Sequence, residues 1–282
     1  MPVIPDPAPA RRIGIHTSIA GSLEKAALRA VELGANTFQI FSASPRMWRA
    51  SPPAPEQVRL LRNAREKHDL YPLVIHDSYL INMASCDEAL RQQSTAAFRG
   101  ELERAATIGA EYLVAHPGNF KGHSVEEGIV AVVRSLAEAS RDLNLGHLTV
   151  LLENTAGGGA TLGSKVAELK SIWDHTQHFC DLRIGFCVDT CHAFASGHDT
   201  VEFALALGAE HVHVIHSNDS KGGFASHLDR HANIGHGQIG EEEFRRILTH
   251  PELSAKAFIL ETPAAEDGDD ARDMETLKRL SR

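Results

Sequence analysis

The sequence predicts an α/β protein built as a single (β/α)8 TIM barrel. Three observations support this fold class: the 282 residues suit one large domain, short apolar runs alternate with amphipathic segments, and eight such pairs occur. The runs are mostly apolar throughout, as expected of parallel strands that are covered on both faces. A doubly wound open sheet is the alternative. It would normally have fewer strands and a G-x-G-x-x-G turn after the first one, where this chain has HTSIAGS.

Eight β-rich runs define the predicted strands. In chain order they are RIGIHTS (12–18), TFQIF (37–41), YPLVIHD (71–77), YLVAHPG (112–118), LTVLLENT (148–155), RIGFCVDT (183–190), VHVIHSND (212–219) and AFILETP (257–263). We expect residues 12–282 to form one barrel domain. Residues 1–11 are rich in proline and are expected to form a disordered N-terminal tail.

Recognisable helix starts lie between these runs. Ser22 precedes an amphipathic stretch that Gly34 ends, and Ser124 with Glu127 has the pattern of a capping box. Pro55 suits the first turn of another helix. Later helix starts are predicted near Thr200, Glu241 and Asp270.

Composition excludes several classes of protein. With 43% hydrophobic and 23% charged residues, the chain is neither disordered nor a coiled coil, and no apolar run approaches the roughly 18 residues that span a bilayer. The four cysteines lack C-x-x-C spacing, so we expect reduced thiols in a cytoplasmic protein. A net charge of −9 argues against nucleic-acid binding by bulk charge, unless metal ions reverse the charge locally.

Potential metal ligands occupy the C-terminal ends of the predicted strands, where barrel active sites are built. In chain order these end residues are His16, Ser42, His76, His116, Glu153, Asp189, His216 and Glu261. Any one histidine taken alone is readily explained as a hydrogen-bonded turn residue. Converging carboxylates, however, repel one another unless a cation neutralises them, so the set predicts a zinc or manganese site.

Two short patterns add further candidate ligands. DTCH adds His192, three residues after Asp189, and DRH adds Asp229 and His231. Five histidines and four carboxylates exceed the needs of one ion, so we expect two or three ions with water in the open positions. Such clusters hydrolyse phosphodiesters, and they would make the barrel mouth attractive to phosphate even in an acidic protein.

Seven segments around these residues form longer motifs: HDSYLIN (76–82), AHPG (115–118), ENTAGGG (153–159), CVDTCHAFASG (187–197), HSNDSK (216–221), DRHANIG (229–235) and ILET (259–262). Together they resemble the endonuclease IV family of apurinic/apyrimidinic (AP) endonucleases. The resemblance covers nearly the whole chain, from Ile13 to Glu261. It implies a zinc-dependent DNA-repair enzyme that cuts 5′ to an abasic site, leaving a 3′-hydroxyl and a 5′-deoxyribose phosphate. It also implies trimming of blocked 3′ ends.

The resemblance further implies a role for each ligand in a three-zinc site. One zinc would be held by His76, His116 and Glu153, a second by Glu153, Asp189, His216 and Glu261, and a third by His192, Asp229 and His231. Glu153 would bridge two ions, and Glu261 would also orient the attacking hydroxide. These two residues are therefore the implied catalytic groups.

For DNA recognition, the matching positions are Tyr79, Leu80 and Arg46. The first two would fill the gap that a flipped-out abasic nucleotide leaves, and Lys221 is a candidate phosphate contact. The family's polar Asn-Gln pair before the arginine is replaced here by Ser-Pro. We expect a monomer that acts on double-stranded DNA and not at a membrane.

Two other classes of protein compete with this interpretation. A sugar isomerase or epimerase of the xylose-isomerase-like barrel class would use only Glu153, Asp189, His216 and Glu261. That interpretation leaves the other five ligands and the Tyr-Leu pair without a role. A non-enzymatic metal-binding or DNA-binding module has no reason to place so many ligands at barrel strand ends.

Overall fold

A computed structural model describes residues 11–264, 266 and 268–282. Its strands are β1 (Arg12–His16), β2 (Thr37–Phe41), β3 (Leu73–His76), β4 (Tyr112–Ala115), β5 (Thr149–Glu153), β6 (Ile184–Asp189), β7 (Val212–His216), β8 (Asp219–Ser220), β9 (His231–Ala232) and β10 (Ala257–Leu260). Within the described residues, eight parallel strands close into a barrel in the order β1-β10-β7-β6-β5-β4-β3-β2. The predicted barrel is therefore confirmed, and each of the eight predicted runs contains one barrel strand.

Helices connect the strands and surround the barrel. They are α1 (Leu23–Glu32), α2 (Pro55–His68), α3 (Glu88–Ile108), α4 (Val125–Ser140), α5 (Val166–Phe179), α6 (Thr190–Ala195), α7 (Thr200–Leu207), α8 (Glu241–Thr249) and α9 (Asp269–Leu280). The predicted starts are confirmed in detail. The Ser22 side chain caps α1, and Ser124 and Glu127 form a complete capping box before α4. Pro55 is the first residue of α2.

Two elements close to the barrel mouth were not predicted. The six-residue helix α6 begins directly after Asp189, whose side chain caps it by accepting the backbone N–H of His192. Beyond β7, the strands β8 and β9 pair antiparallel and form a short hairpin. Both elements are too short for hydrophobic periodicity to reveal them.

The apolar core has two layers. The outer layer lies between strands and helices and contains large side chains such as Phe38, Phe186 and Phe258. The inner layer fills the barrel with smaller side chains, among them Val114, Leu151 and others of similar size. Side chains alternate across each strand, so the same strands pack the outer layer and line the interior. The filled interior serves as a floor beneath the polar mouth.

The predicted tail, residues 1–11, lies outside the described residues except for Arg11. The Arg11 Nε donates to the carbonyl oxygen of Ser254 at 3.3 Å, beside the first strand. Across the described ranges, no helix has the length and apolarity that crossing a bilayer requires.

Candidate metal centre

The strand ends bring all nine predicted ligands to one mouth of the barrel. His76, Glu153, Asp189 and His216 are the last residues of β3, β5, β6 and β7. The remaining ligands follow a strand by one residue or lie in α6 and the β8–β9 hairpin region; they are His116, Glu261, His192, Asp229 and His231. Side chains that are far apart in the sequence therefore become neighbours.

Distance divides these side chains into groups whose ligand atoms lie within 4.8 Å of one another. The groups that match the sequence hypothesis are His76-His116-Glu153, Glu153-Asp189-His216-Glu261 and His192-Asp229-His231. Two thiols also come within this distance of some of the same ligands: Cys187 joins Glu153 and His216, and Cys191 joins Asp189 and His231. The described residues thus contain three adjoining groups of candidate metal ligands.

Glu153 lies between the first two groups. It is fully buried, and its Oε2 lies 3.3 Å from His76 Nε2 and 3.5 Å from His116 Nε2. Its Oε1 lies 3.0 Å from His216 Nδ1. One carboxylate therefore presents a different oxygen to each group, which is the arrangement that a bridging ligand needs.

Three of the histidines are oriented by main-chain carbonyl groups. His76 Nδ1 lies 3.0 Å from the carbonyl oxygen of the next residue, and His192 Nδ1 lies 2.9 Å from that of Asn154. His231 Nδ1 lies 3.2 Å from that of Glu261. When Nδ1–H donates to a carbonyl, Nε2 has the free lone pair, and in all three residues Nε2 faces a carboxylate. Ligating histidines are commonly oriented in this way.

Burial and mutual contact shift the pKa values of these groups. Burial lowers the pKa of His76, but the close contact with Glu153 and the charges of the surrounding carboxylates outweigh it and raise that pKa to about 10. Burial also lowers the pKa of His192, yet the charge of Asp189 and other carboxylate contacts raise it well above its usual value. For Glu153, burial disfavours ionisation, while the charge of His216 and hydrogen bonds hold its pKa well below the ordinary range. The buried carboxylates thus require positive charge beside them.

The donor set fits a bound transition metal. Glu153 Oε2 and His231 Nε2 are buried atoms without a hydrogen-bond partner among the described residues. Buried polar atoms are nearly always satisfied, so partnerless atoms within a cluster of candidate ligands support cation binding there. Imidazole nitrogens mixed with carboxylate oxygens are a donor set that zinc accepts.

Two buried asparagines hold candidate ligands in place, and the sequence interpretation assigned a role to neither. Asn154 donates from Nδ2 to the carbonyl oxygen of Asp189 at 3.1 Å and accepts the Asp189 N–H at 2.6 Å. Asn218 donates to Asp189 Oδ2 at 2.6 Å and accepts the Glu261 N–H at 2.8 Å. Asn154 directly follows the candidate ligand Glu153, and Asn218 lies two residues after the candidate ligand His216. This closeness, and their place in the segments ENTAGGG and HSNDSK, are the signals that could have identified them.

Asp219 organises the hairpin region beyond β7 and was also missed. It is fully buried, and its carboxylate accepts backbone N–H groups of Gly235, Gly237 and Ile239 at 2.9–3.1 Å. A side chain at Gly237 would collide with it, because an added Cβ would lie 2.4 Å from Asp219 Oδ1. The buried carboxylate therefore fixes the course of the segment that follows the candidate ligand His231.

The predicted DNA contacts lie on the rim of the mouth. Tyr79 is 70% exposed, and its ring packs edge-on against Phe41 at 5.2 Å. Arg46 and Lys221 are exposed, and Leu80 is half-buried. An open cavity of about 560 Å³ reaches from Tyr79 down to the ligands, and a second of about 410 Å³ adjoins it. Tyr79 thus lines the cleft above the candidate ligands, and Leu80 lines the adjoining cavity.

Comparison with known proteins shows what the chain is similar to. The family model described as "Xylose isomerase-like TIM barrel" matches residues 27–280. A protein of Solibacter usitatus named "Probable endonuclease 4" is 58% identical over 280 residues, covering 96% of this chain and 97% of its own. The Thermus thermophilus protein named "Endonuclease 4" is 40% identical, covering 92% of this chain and 94% of its own.

Solved structures are also similar to the chain. The crystal structure of endonuclease IV from Thermus thermophilus matches with a TM-score of 0.84 and 36% identity, covering 95% of this chain and 98% of that one. A D-tagatose 3-epimerase-like protein matches with a TM-score of 0.71, but at 20% identity it shares the fold alone.

Proposed function

Because the chain belongs to the endonuclease IV family, we propose that it is a DNA-repair endonuclease that hydrolyses the phosphodiester bond 5′ to an abasic site. Its products would be a 3′-hydroxyl and a 5′-deoxyribose phosphate. A family member that is 58% identical along nearly the whole length supports the general activity, an AP endonuclease in DNA repair. The position of the cut and the nature of the products are inferred from the candidate metal centre.

One observation supports that finer assignment above all others. The nine candidate ligands lie in three adjoining groups, and Glu153 belongs to two of them. A single-metal epimerase site needs only the group of Glu153, Asp189, His216 and Glu261, and it leaves the other two groups unexplained. Three cations at one mouth are suited to a substrate with several negatively charged oxygens, as a phosphodiester has.

We propose zinc as the metal, with three ions per chain. The first would be held by His76, His116 and Glu153, the second by Glu153, Asp189, His216 and Glu261, and the third by His192, Asp229 and His231. Bound zinc supplies Lewis acidity, which makes water a nucleophile at neutral pH and stabilises charge on the departing oxygen. Glu153 and Glu261 are the proposed catalytic groups. Glu153 holds two positions at a fixed separation, and Glu261 orients the attacking water.

We assign recognition of the abasic site to residues beside the barrel mouth. An abasic nucleotide has no base to stack or pair, so extruding it from the helix costs less than extruding an intact one. Tyr79 offers an exposed ring and Leu80 an apolar side chain at the edge of the cleft. These would fill the gap in the helix, while Arg46 and Lys221 would contact phosphates. The net charge of −9 makes such local contacts necessary, because the chain as a whole repels DNA.

Further features of the proposal concern substrates and setting. The open cleft would also admit blocked 3′ ends, so 3′-end trimming is part of the proposed activity. We propose that the enzyme acts as a monomer on double-stranded DNA in the cytoplasm. The four cysteines are free thiols, as in proteins of a reducing compartment.

A duplex oligonucleotide with one abasic analogue tests the proposal. The purified protein, without added magnesium, should cut on the 5′ side of the analogue and leave a 3′-hydroxyl that a polymerase can extend. A matched duplex without the analogue serves as the control and should stay intact. If the abasic strand also stays intact while the protein epimerises a ketose sugar, the proposal is wrong.

A further inference from the structure

A glutamine inside the barrel contacts the ligand cluster from below. Gln39, in β2, is fully buried, and its side chain points into the interior. Its Nε2 donates to Glu261 Oε1 at 2.5 Å and to His16 Nδ1 at 3.0 Å. Its Oε1 lies 2.8 Å from His216 Nε2. One amide therefore joins two candidate ligands of the second group to the histidine that ends β1.

The chemistry of an amide fixes the direction of these hydrogen bonds. The nitrogen only donates and the oxygen only accepts, so His216 must donate from Nε2–H to Gln39 Oε1. A neutral His216 then has its lone pair on Nδ1. That atom lies 3.0 Å from Glu153 Oε1 and 3.2 Å from Glu261 Oε2, at the second cation position.

His216 thus differs from the three histidines described above. Those present Nε2 to the cluster and are oriented by main-chain carbonyl groups, which any sequence provides. His216 presents the opposite nitrogen and is oriented by a side chain, which only particular residues at position 39 can supply. A substitution at this position can therefore change the ring's tautomer without changing any ligand.

His16 holds the amide in this orientation. Its Nδ1 accepts the second amide hydrogen of Gln39, and its ring packs against Phe41 with centroids 4.5 Å apart. A flipped amide would place its oxygen against the carboxylate of Glu261, which is repulsive. Both amide hydrogens are used in one orientation only, so Gln39 cannot exchange its oxygen and nitrogen without losing contacts.

We propose that Gln39, supported by His16, is a positioning residue that prepares the second metal position. It keeps His216 in the Nε2–H tautomer and holds Glu261 through Oε1, so that His216 Nδ1 and Glu261 Oε2 face the metal. The inference rests on the proposed zinc site and adds to it a residue outside the ligand set. It also gives a role to His16, a strand-end histidine that no ligand group includes.

The substitution Gln39→Met tests the proposal, because methionine keeps the length of the side chain but removes both hydrogen-bonding groups. Partners of ligating residues typically contribute about 10–100-fold to metal affinity. We therefore expect one of three zinc ions to be released to a chelating dye at least about 10-fold faster, while two are unchanged. In ¹⁵N spectra of the zinc-free protein, at a pH where the His216 ring is neutral, that ring should lose its single-tautomer pattern.

Thr37→Val is the matched control. Thr37 lies on the same strand, is also fully buried, and donates from Oγ1 to the carbonyl oxygen of Pro72 at 2.6 Å. Its loss should lower stability without altering zinc release. Should Gln39→Met fail to fold, His16→Phe keeps the ring packing on Phe41, removes the acceptor for the amide, and should speed release of the same single ion.

Three outcomes would overturn the inference. If Gln39→Met leaves both zinc release and the His216 tautomer unchanged, Gln39 is only a packing residue. If Gln39→Met does not fold and His16→Phe leaves zinc release unchanged, the conclusion is the same. Equally faster release of all three zinc ions, or equally faster zinc release from Thr37→Val, would indicate general destabilisation instead. Wild-type protein that binds no zinc would contradict the proposed function itself, and this inference with it.

Discussion

Replacement of Glu153 by glutamine should be the most damaging single change at the site. Glu153 faces His76 and His116 with one oxygen and His216 with the other, at 3.0–3.5 Å. An amide keeps the shape but removes the negative charge, and it puts an NH2 group where one of these oxygens would bind a cation in the proposed site. One substitution therefore weakens two adjoining positions.

The expected size of the effect follows from that geometry. Loss of one group that stabilises transition-state charge typically costs about 10²–10³-fold in rate. Because Glu153 serves two positions, we expect a loss in kcat of at least about 10³-fold, which corresponds to about 4 kcal/mol. The burial of Glu153 removes the solvent that might otherwise compensate.

Single-turnover incision of the abasic duplex, with enzyme in excess, measures this loss separately from DNA binding. Glu168→Gln is the matched control. Glu168 is also a buried glutamate that accepts a backbone N–H, from Gly163 at 2.9 Å, but it lies in α5 outside the ligand cluster. That variant should keep nearly full activity. If Glu153→Gln retained a tenth of the wild-type rate, the bridging role would be refuted.

Three further predictions concern the rim, the hairpin region and the metal. Tyr79→Ala combined with Leu80→Ala should weaken binding to the abasic duplex by roughly 5- to 150-fold, because base stacking contributes about 1–3 kcal/mol. The zinc content of this variant should not change, and its 3′-end trimming activity should fall by less than its binding to the abasic duplex. Equal losses on both substrates in a gel-shift and trimming comparison would contradict this role. Asp219→Asn should lower the free energy of unfolding by about 1–3 kcal/mol, because an amide nitrogen would face backbone N–H groups. Chemical denaturation measures this loss, and Asp181→Asn, at an exposed position, is the control. Prolonged chelation should abolish activity and added zinc should restore it, whereas magnesium alone restoring full activity would exclude zinc.

The fold, and with it the meeting of the candidate ligands at one mouth, could be predicted from the sequence because the barrel strands have strong local patterns. Apolar runs covered on both faces define the barrel strands, and a barrel brings the strand ends together whatever the loops between them do. His76 and Glu153 are thus close in space although no local pattern links them.

Other features could not be predicted because they depend on contacts between distant segments. Gln39 is one polar residue within an apolar strand, and only the closed barrel shows that it reaches Glu261 and His216. The partners of Asp219 are backbone groups, which have no sequence signature. The helix α6 consists of six residues, too few for periodicity to define.

The number and position of the metal ions test the central claim most directly. Crystals of the zinc-replete protein, measured at the zinc absorption edge, should give three anomalous difference peaks at the barrel mouth. One peak should lie in each ligand group, with Glu153 between the first two. A single peak among Glu153, Asp189, His216 and Glu261, with the other two groups empty in fully active protein, would contradict the three-zinc account.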